Sequence, residues 1–359
     1  FEHNLFVEAQ EETLLLLAAG YGESSGSVQL VPLKSAEDLE RSLPAGFPLS
    51  LSGGGATRFA EAFLTQSERR AWSEAREQIP TVTVGSLGIL SNGYVTGDNQ
   101  FFHRTRAEAR ETGYPERWLR PSARQSRSLK GLVYTAADIA QLEADGKAHH
   151  LVVPEDVVSD DIVPEVNSDA LAHFLHEGEA RGVPRRFKCR TRQPWWKVPG
   201  LGICDVLFSY MSGDRPRAAV NTTRALYTNT LHGLRVRAGI DPLRVALFFH
   251  STLTLLSLEI EGRSYGGGIL KVEPTEMQRV RLAWPEPHET VLDAHARKVD
   301  RKLRAGHYEQ AVRLVDEMLL LEMLGLSESL VDELSCGRQR LVMRRKARSR
   351  GKSFLHRDR

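Results

Sequence analysis

The spacing of apolar positions divides the chain into an irregular front, a long middle of short β-like runs and a helical end. Phe6 to Ala19 sets a polar turn before a short apolar run, and GYGESSGS then leads into VQLVPL at Val28 to Leu33. That pattern predicts two strands joined by a Gly/Ser hairpin. Thr57 to Glu77 carries Phe59, Phe63 and Trp72 at helical spacing behind a Ser52 to Gly55 linker. From Val82 to about Trp284, apolar runs separated by Gly, Pro and Asn predict strands: TVTVG, GILSNGYVTG, HHLVVP, VALFFHSTLTLLSLEI and ILKVEP. Short helices interrupt them at Ala136 to Asp145 and Ser168 to Arg181, the second with Ser168 as N-cap and Gly182 as stop. Beyond Pro287 the period is helical again, through Val291, Ala294, Val299 and Leu303 and then Ala311 to Leu324.

Composition changes this picture little. A length of 359 residues allows roughly two or three domains, and 41% hydrophobic with 26% charged residues is ordinary for a globular protein. Cys189, Cys204 and Cys336 lie far apart, without the paired spacing of a zinc knuckle or a disulfide framework, so a reducing, cytoplasmic compartment is expected. The longest apolar run, near Thr13 to Ala19, is too short to span a bilayer, and no membrane association is expected. The opening at Phe1, mid-pattern and without Met, reads as a fragment of something longer.

Charge changes the picture more. The net charge is only +2, yet Arg181 to Arg237 holds 12 Lys/Arg against two acids, Asp205 and Asp214. Tryptophan, tyrosine, asparagine and threonine are interleaved with these cations in RRFKCRTRQPWWKVP, SYMSGDRPRAAVN and TNTLHGLRVR. Cations neutralise phosphates, aromatic faces stack on bases and amides read base edges, so the block suits a nucleic-acid surface as well as a solvated face around core tryptophans. Arg338 to Arg359 adds ten Lys/Arg and one acid; such a block reads as a solvated, disordered tail with non-specific phosphate affinity.

Much chemistry is excluded. There is no GxxxxGK[ST] loop, and SGGGAT and YGGGILK lack its Lys and Ser/Thr. No GxSxG elbow is present. His149 and His150 are adjacent beside an expected strand, where neighbouring side chains point to opposite faces, so no metal site is expected. Glu259, Glu261 and Lys271 form only a weak nuclease-like set.

Five segments occur in a telling order: GYVTGDNQFF (Gly93 to Phe102), FKCRTRQPWWKVP, YMSGDRPRAAVN, TNTLHG and EGRSYGGGILKVEP (Glu261 to Pro274). In that order, and over most of Phe1 to Pro285, the chain resembles the C-terminal halves of gamma-class adenine-N6 DNA methyltransferases from restriction-modification and related phage-defence systems. The resemblance implies an α+β chain: residues 1–50 as the last strands of a truncated α/β methyltransferase sheet, 51–285 as a mixed β-rich DNA target-recognition domain, 286–337 as a helical segment and 338–359 as the tail. It implies double-stranded DNA as partner and S-adenosylmethionine as cofactor of the complete enzyme. The family's donor site and [N/D]PP[Y/F] motif lie in the N-terminal half, and neither an NPPY-like tetrapeptide nor a Gly-rich donor loop is present here. No catalytic or cofactor-binding residue is therefore expected in this chain, whose partner is a missing catalytic half, on the same or another polypeptide, with restriction or defence subunits beside it.

Within the resemblance, Phe6 matches the aromatic residue that packs on the extruded adenine, where stacking recovers part of the cost of unstacking a base. Arg190, Arg192, Lys197, Arg215 and Arg217 are candidates for phosphate or guanine, and Asn99, Asn221 and Asn229 for adenine. Gly97 to Asn99 reads as a turn between strands, with Thr96 and Asn99 exposed and Phe101 and Phe102 anchoring it. Trp195 and Trp196, between two prolines, brace a loop or touch bases, and one of them is expected in the core. Tyr210, His232, Arg263, Tyr265, Gly267 and Lys271 complete the expected DNA surface, Gly266 to Gly268 serving as a close-approach backbone or a turn. Three readings stay open at this point: recognition for an adenine methyltransferase, a non-enzymatic DNA specificity subunit serving separate modification or nuclease chains, and an RNA-binding protein.

Overall fold

The computed structural model describes residues 15–17, 19–22, 26–31, 33, 36–40, 46–50, 58–154, 168–213, 215–286 and 289–350. Phe6 and the Ser52 to Gly55 linker lie outside them.

At the centre is a five-stranded sheet in the order Gly88–Asn92, Leu231–Val236, Val206–Ser209, Ala218–Asn221, Val133–Tyr134. Its pairings are antiparallel except the last, where Val220 and Asn221 run parallel to Val133 and Tyr134. Period-two alternation in Val206–Ser209 feeds two cores. Val206 and Phe208 face one, and Leu207 faces the other with Tyr134, Ala219 and Tyr227; both faces are covered, so the strand reads as an unbroken apolar run. A four-stranded sheet in the order Leu226–Tyr227, Leu119–Ala123, His150–Val152, His103–Arg104 borders a third, aromatic core. A small sheet of Met211–Ser212, Ile269–Lys271 and Arg263–Tyr265 lies at the edge. The architecture is α+β, as the resemblance implied.

The run VALFFHSTLTLLSLEI corrects the strand expectation, for it forms two helices, Pro242–Phe248 and Thr252–Glu261. Asp241 caps the first, accepting from the Leu243 N–H at 2.9 Å with Pro242 at its first position, and Ser251 caps the second. Thr252 to Ile260 are all buried, and a helix apolar all round has no amphipathic period to betray it. Among the described residues no single helix is long and apolar enough to cross a membrane; these two together have the composition but are bent by 78° and sit inside the core.

Other differences are local. Ser27–Leu30 pairs antiparallel with Phe47–Ser50, and of the preceding apolar run the described Leu15 to Leu17 are exposed and outside any strand. Thr57 to Glu77 is broken at Thr65, which caps the helix Gln66–Gln78 by exchanging hydrogen bonds with Glu68. Gly97 to Asn99 is not a strand-joining turn, because Asp98 caps the short helix Asn99–Phe102. Ala136–Ala144 and Ser168–Ala180 are helical as expected, and Gly182 takes the left-handed φ of +69° past the second.

The basic end is also corrected. Glu328–Arg350 is one helix packed on Gln66–Gln78 and Thr252–Glu261, so Arg338 to Arg350 are part of the fold and not a solvated tail; residues 351–359 lie outside the described residues. Arg338 pairs with Glu309, Arg340 with Glu68 and Arg345 with Glu259. A count of cations cannot foresee acids brought from 272 residues away.

Candidate nucleic-acid interface

Tyr210 is where the chain leaves one sheet for another, between Val206–Ser209 of the central sheet and Met211–Ser212 of the edge sheet. Its carbonyl accepts the Val272 N–H at 3.0 Å, and its hydroxyl donates to Glu273 Oε1 at 2.9 Å. Lys271 Nζ reaches the same Glu273 oxygen at 2.8 Å and lies over the Tyr265 ring at 5.4 Å. The shared bonds push the groups in consistent directions. The Glu273 contact raises Lys271 and holds Glu273 low, while desolvation, then the Glu273 bond, raises Tyr210. Tyr210 therefore presents a fixed, neutral ring.

Beside it opens a groove of ≈630 Å³ with three walls. Gln125, Ser126 and Arg127 follow the strand Leu119–Ala123; Tyr210, Met211 and Arg217 come from the sheet crossover; Asn229 and Thr230 come from the turn before Leu231–Val236. Asn229 is exposed and lines the groove, and its backbone N–H donates to the Tyr94 carbonyl at 3.0 Å. Arg127 is exposed and donates to Gln125 Oε1, whereas Arg217 is half-buried with its backbone N–H on Ser209 Oγ at 3.0 Å. A larger cavity of ≈1080 Å³ is lined by Leu132, Val133, Leu243 and the Asp300–Arg304 ion pair of one helix, so size does not pick the site.

Of the expected DNA surface, Tyr210, Arg217 and Asn229 meet in this groove. Arg215 lies close by, with its carbonyl 3.5 Å from Arg217 Nη1 and its guanidinium over the Tyr308 ring at 5.5 Å. Arg190 and Lys188 instead flank the exposed Phe187 ring at 5.2 and 5.5 Å, and Lys197 is exposed beyond it. Trp196 lines a separate cleft with Val152 and Pro154. Gly267 is exposed at φ +79° in the turn joining Arg263–Tyr265 to Ile269–Lys271.

Several expected readers are structural. Asn221 is buried, its amide donating to the carbonyls of Cys204 and Ala225 while its oxygen accepts from Ala225 N–H and the Thr223 hydroxyl. His232 is fully buried, donates from Nε2 to the Val272 carbonyl at 2.7 Å and faces the Asn92 amide; burial lowers its pKa. Thr96 is buried, not exposed, and donates to Asn99 Oδ1, while Asn99 stays exposed. Arg192 donates to the carbonyls of Val95 and Thr96 at 2.6 and 2.8 Å. Trp195 stacks on Phe174 at 3° and 6.3 Å, and Trp195 and Trp196 are both half-buried against the aromatic core. Arg263, by contrast, stays exposed while pairing with Glu276. Glu259, Glu261 and Lys271 go to separate ion pairs with Arg345, Arg279 and Glu273, so they form no nuclease site. Gln125, Ser126, Arg127 and Thr230 were missed; the only signal was an uninterrupted polar run, RQSRS, between two strands.

The family model of the type II methyltransferase M.Eco57I C-terminal domain matches residues 56–320. The chain belongs to that family. Type II methyltransferase M.XamI of Xanthomonas campestris pv. amaranthicola is 27% identical over 206 residues, 56% of this chain and 36% of the relative. The type IIG restriction endonuclease BpuSI shares the fold at a TM-score of 0.52 and 13% identity, over 80% of this chain and 34% of BpuSI. This member of the M.Eco57I C-terminal-domain family thus spans about a third of the length of either protein. Among the described residues, the glycine run Gly266 to Gly268 closes a β-hairpin and precedes no helix, so its N–H groups form no helix-terminus cradle of the kind that holds a phosphate or methyl donor.

Proposed function

We propose that this chain is the target-recognition part of an adenine-N6 DNA methyltransferase in a restriction-modification system, and that it reads duplex DNA through the Tyr210 groove. The observation that carries the reading is the convergence in one groove of Arg127, Arg217, Asn229 and a rigid Tyr210 from three separate chain segments, in a chain of this family. Arg127 and Arg217 neutralise phosphates, and Asn229 offers the bidentate amide that pairs with adenine N6 and N7. Methyl transfer from S-adenosylmethionine belongs to the missing catalytic half, which receives the target base out of the stack.

The test is selection of duplexes from a random pool by the intact protein carrying this chain. A short common sequence is expected, lost when Arg127→Ala and Asn229→Ala are combined. Equal competition by A-form RNA, or a sequence preference unchanged in the double variant, would overturn the reading.

A further inference from the structure

Glu143, His149 and His150 are drawn together where the helix Ala136–Ala144 leads into the four-stranded sheet. Glu143 ends the helix Ala136–Ala144. The chain then reverses tightly, with Gly146 at φ +64° and the Lys147 N–H on the Leu142 carbonyl at 2.9 Å. His149 stands just ahead of the strand His150–Val152, its carbonyl accepting the Ser122 N–H at 2.9 Å, and the two rings are not parted as strict strand alternation would part them. Their ring centroids are 4.2 Å apart.

Three features make this a built site. First, both histidines are at least 98% buried, yet Glu143 Oε2, His149 Nε2 and both ring nitrogens of His150 have no hydrogen-bond partner among the described residues. Buried polar atoms without partners are rare and costly in native proteins. Second, His149 Nε2 is 3.4 Å and His150 Nδ1 3.7 Å from Glu143 Oε2, and all the ligand atoms lie within 4.8 Å of one another. Two ligands at zinc bond lengths around a tetrahedral ion stand about 3.4 Å apart. Third, the next contacts orient the ligands: His149 Nδ1 donates to the Lys147 carbonyl at 2.7 Å, which leaves Nε2 a lone pair, and the Arg106 N–H holds Glu143 Oε1 at 2.8 Å. Such outer bonds fix tautomer and aim in metal sites.

We propose that Glu143, His149 and His150 bind one divalent transition-metal ion of the zinc class. Two imidazoles and a carboxylate suit zinc, with cobalt, nickel and copper as competitors, and suit the all-oxygen preference of calcium or magnesium poorly. The ion would fasten the helix end to the four-stranded sheet, where His150 sits opposite Arg104 on one side and Pro121 on the other. Pro121 belongs to the strand that runs on into Gln125 to Arg127, so the ion would brace one wall of the groove.

The intact protein carrying this chain is stripped with chelator and titrated with Zn²⁺ by calorimetry and with Co²⁺ by visible absorption. The parent should take up one equivalent more than the His149→Ala/His150→Ala double variant and gain thermal stability on loading. Equal uptake by parent and double variant overturns the proposal. Should the double variant fail to fold, Glu143→Gln keeps the oxygen that accepts from Arg106. It should weaken Zn²⁺ binding by more than about tenfold, the loss that even an outer partner's mutation produces; unchanged affinity in that variant sinks the site.

Discussion

Arg345 Nε and Nη2 donate to the two carboxylate oxygens of Glu259 at 2.9 Å, both side chains being at least 95% buried, and Arg345 Nη1 reaches the Gly268 carbonyl. The pair ties the C-terminal helix to the buried helix Thr252–Glu261 and to the glycine turn of the edge sheet. Arg345→Ala leaves a buried carboxylate without its cation and should cost about 3–5 kcal/mol. Urea denaturation measures it. Arg345→Met combined with Glu259→Leu should recover most of the loss, because a well-packed apolar pair avoids the desolvation of both charges. Truncation before Arg338 should for the same reason unfold the domain and not merely lower its affinity for phosphate.

Arg127 and Asn229 separate positioning from reading. Arg127→Ala should weaken binding to all duplexes alike and reduce the slope of log affinity against log salt by about one. Asn229→Ala should cost roughly 1–3 kcal/mol on the preferred site alone and relax one position of it. Binding isotherms on cognate and scrambled duplexes at several salt concentrations distinguish the two outcomes.

Trp195 behaves as core. Its ring packs among Phe101, Phe102 and Phe174, and Trp195→Ala should destabilise by about 3 kcal/mol, the lower end for a tryptophan that is not wholly buried. Gly178→Ala should act on the same contact, since a Cβ there would meet the Trp195 ring at 2.3 Å. Both variants, where still folded, should keep the parent's sequence preference in a binding assay.

Asp316 gives a pH dependence of definite sign. It is buried, accepts from the Thr252 N–H at 2.7 Å and the Thr252 hydroxyl at 2.6 Å, and burial pushes its carboxyl up to about 7. Between about pH 4 and 7 the folded chain holds a proton that the unfolded chain has released. The group's contribution is therefore complete below pH 4, declines as pH rises and is gone above 7, with a limiting slope of about 1.4 kcal/mol per unit. Asp316→Asn should remove that slope, read as the difference between parent and variant denaturation curves from pH 4 to 8. A difference that stays constant with pH would show that Asp316 is ionised throughout.

What the sequence determined by itself was whatever rests on local rules and on order along the chain. Gly182 as a helix stop, Phe101 and Phe102 as anchors, the helices at Ala136 and Ser168 and the turn at Gly267 all follow from near neighbours. The order of five short segments carried the family, which a match over residues 56–320 bears out. Tertiary structure decided everything that depends on partners distant in the chain. Asn221, His232, Arg192 and Thr96 looked like readers because a polar side chain in a basic block looks the same whether it faces DNA or a buried carbonyl. The buried helix at Thr252 looked like a strand because burial on all sides erases period. Arg338, Arg340 and Arg345 looked like a tail because their acids, Glu309, Glu68 and Glu259, are distant in sequence and near only once the helices pack. The rings of His149 and His150 come within 4.2 Å of each other, against the simple alternation of a strand, because His149 stands just ahead of the strand that His150 begins, in a chain reversal closed by the Lys147 N–H on the helix carbonyl of Leu142.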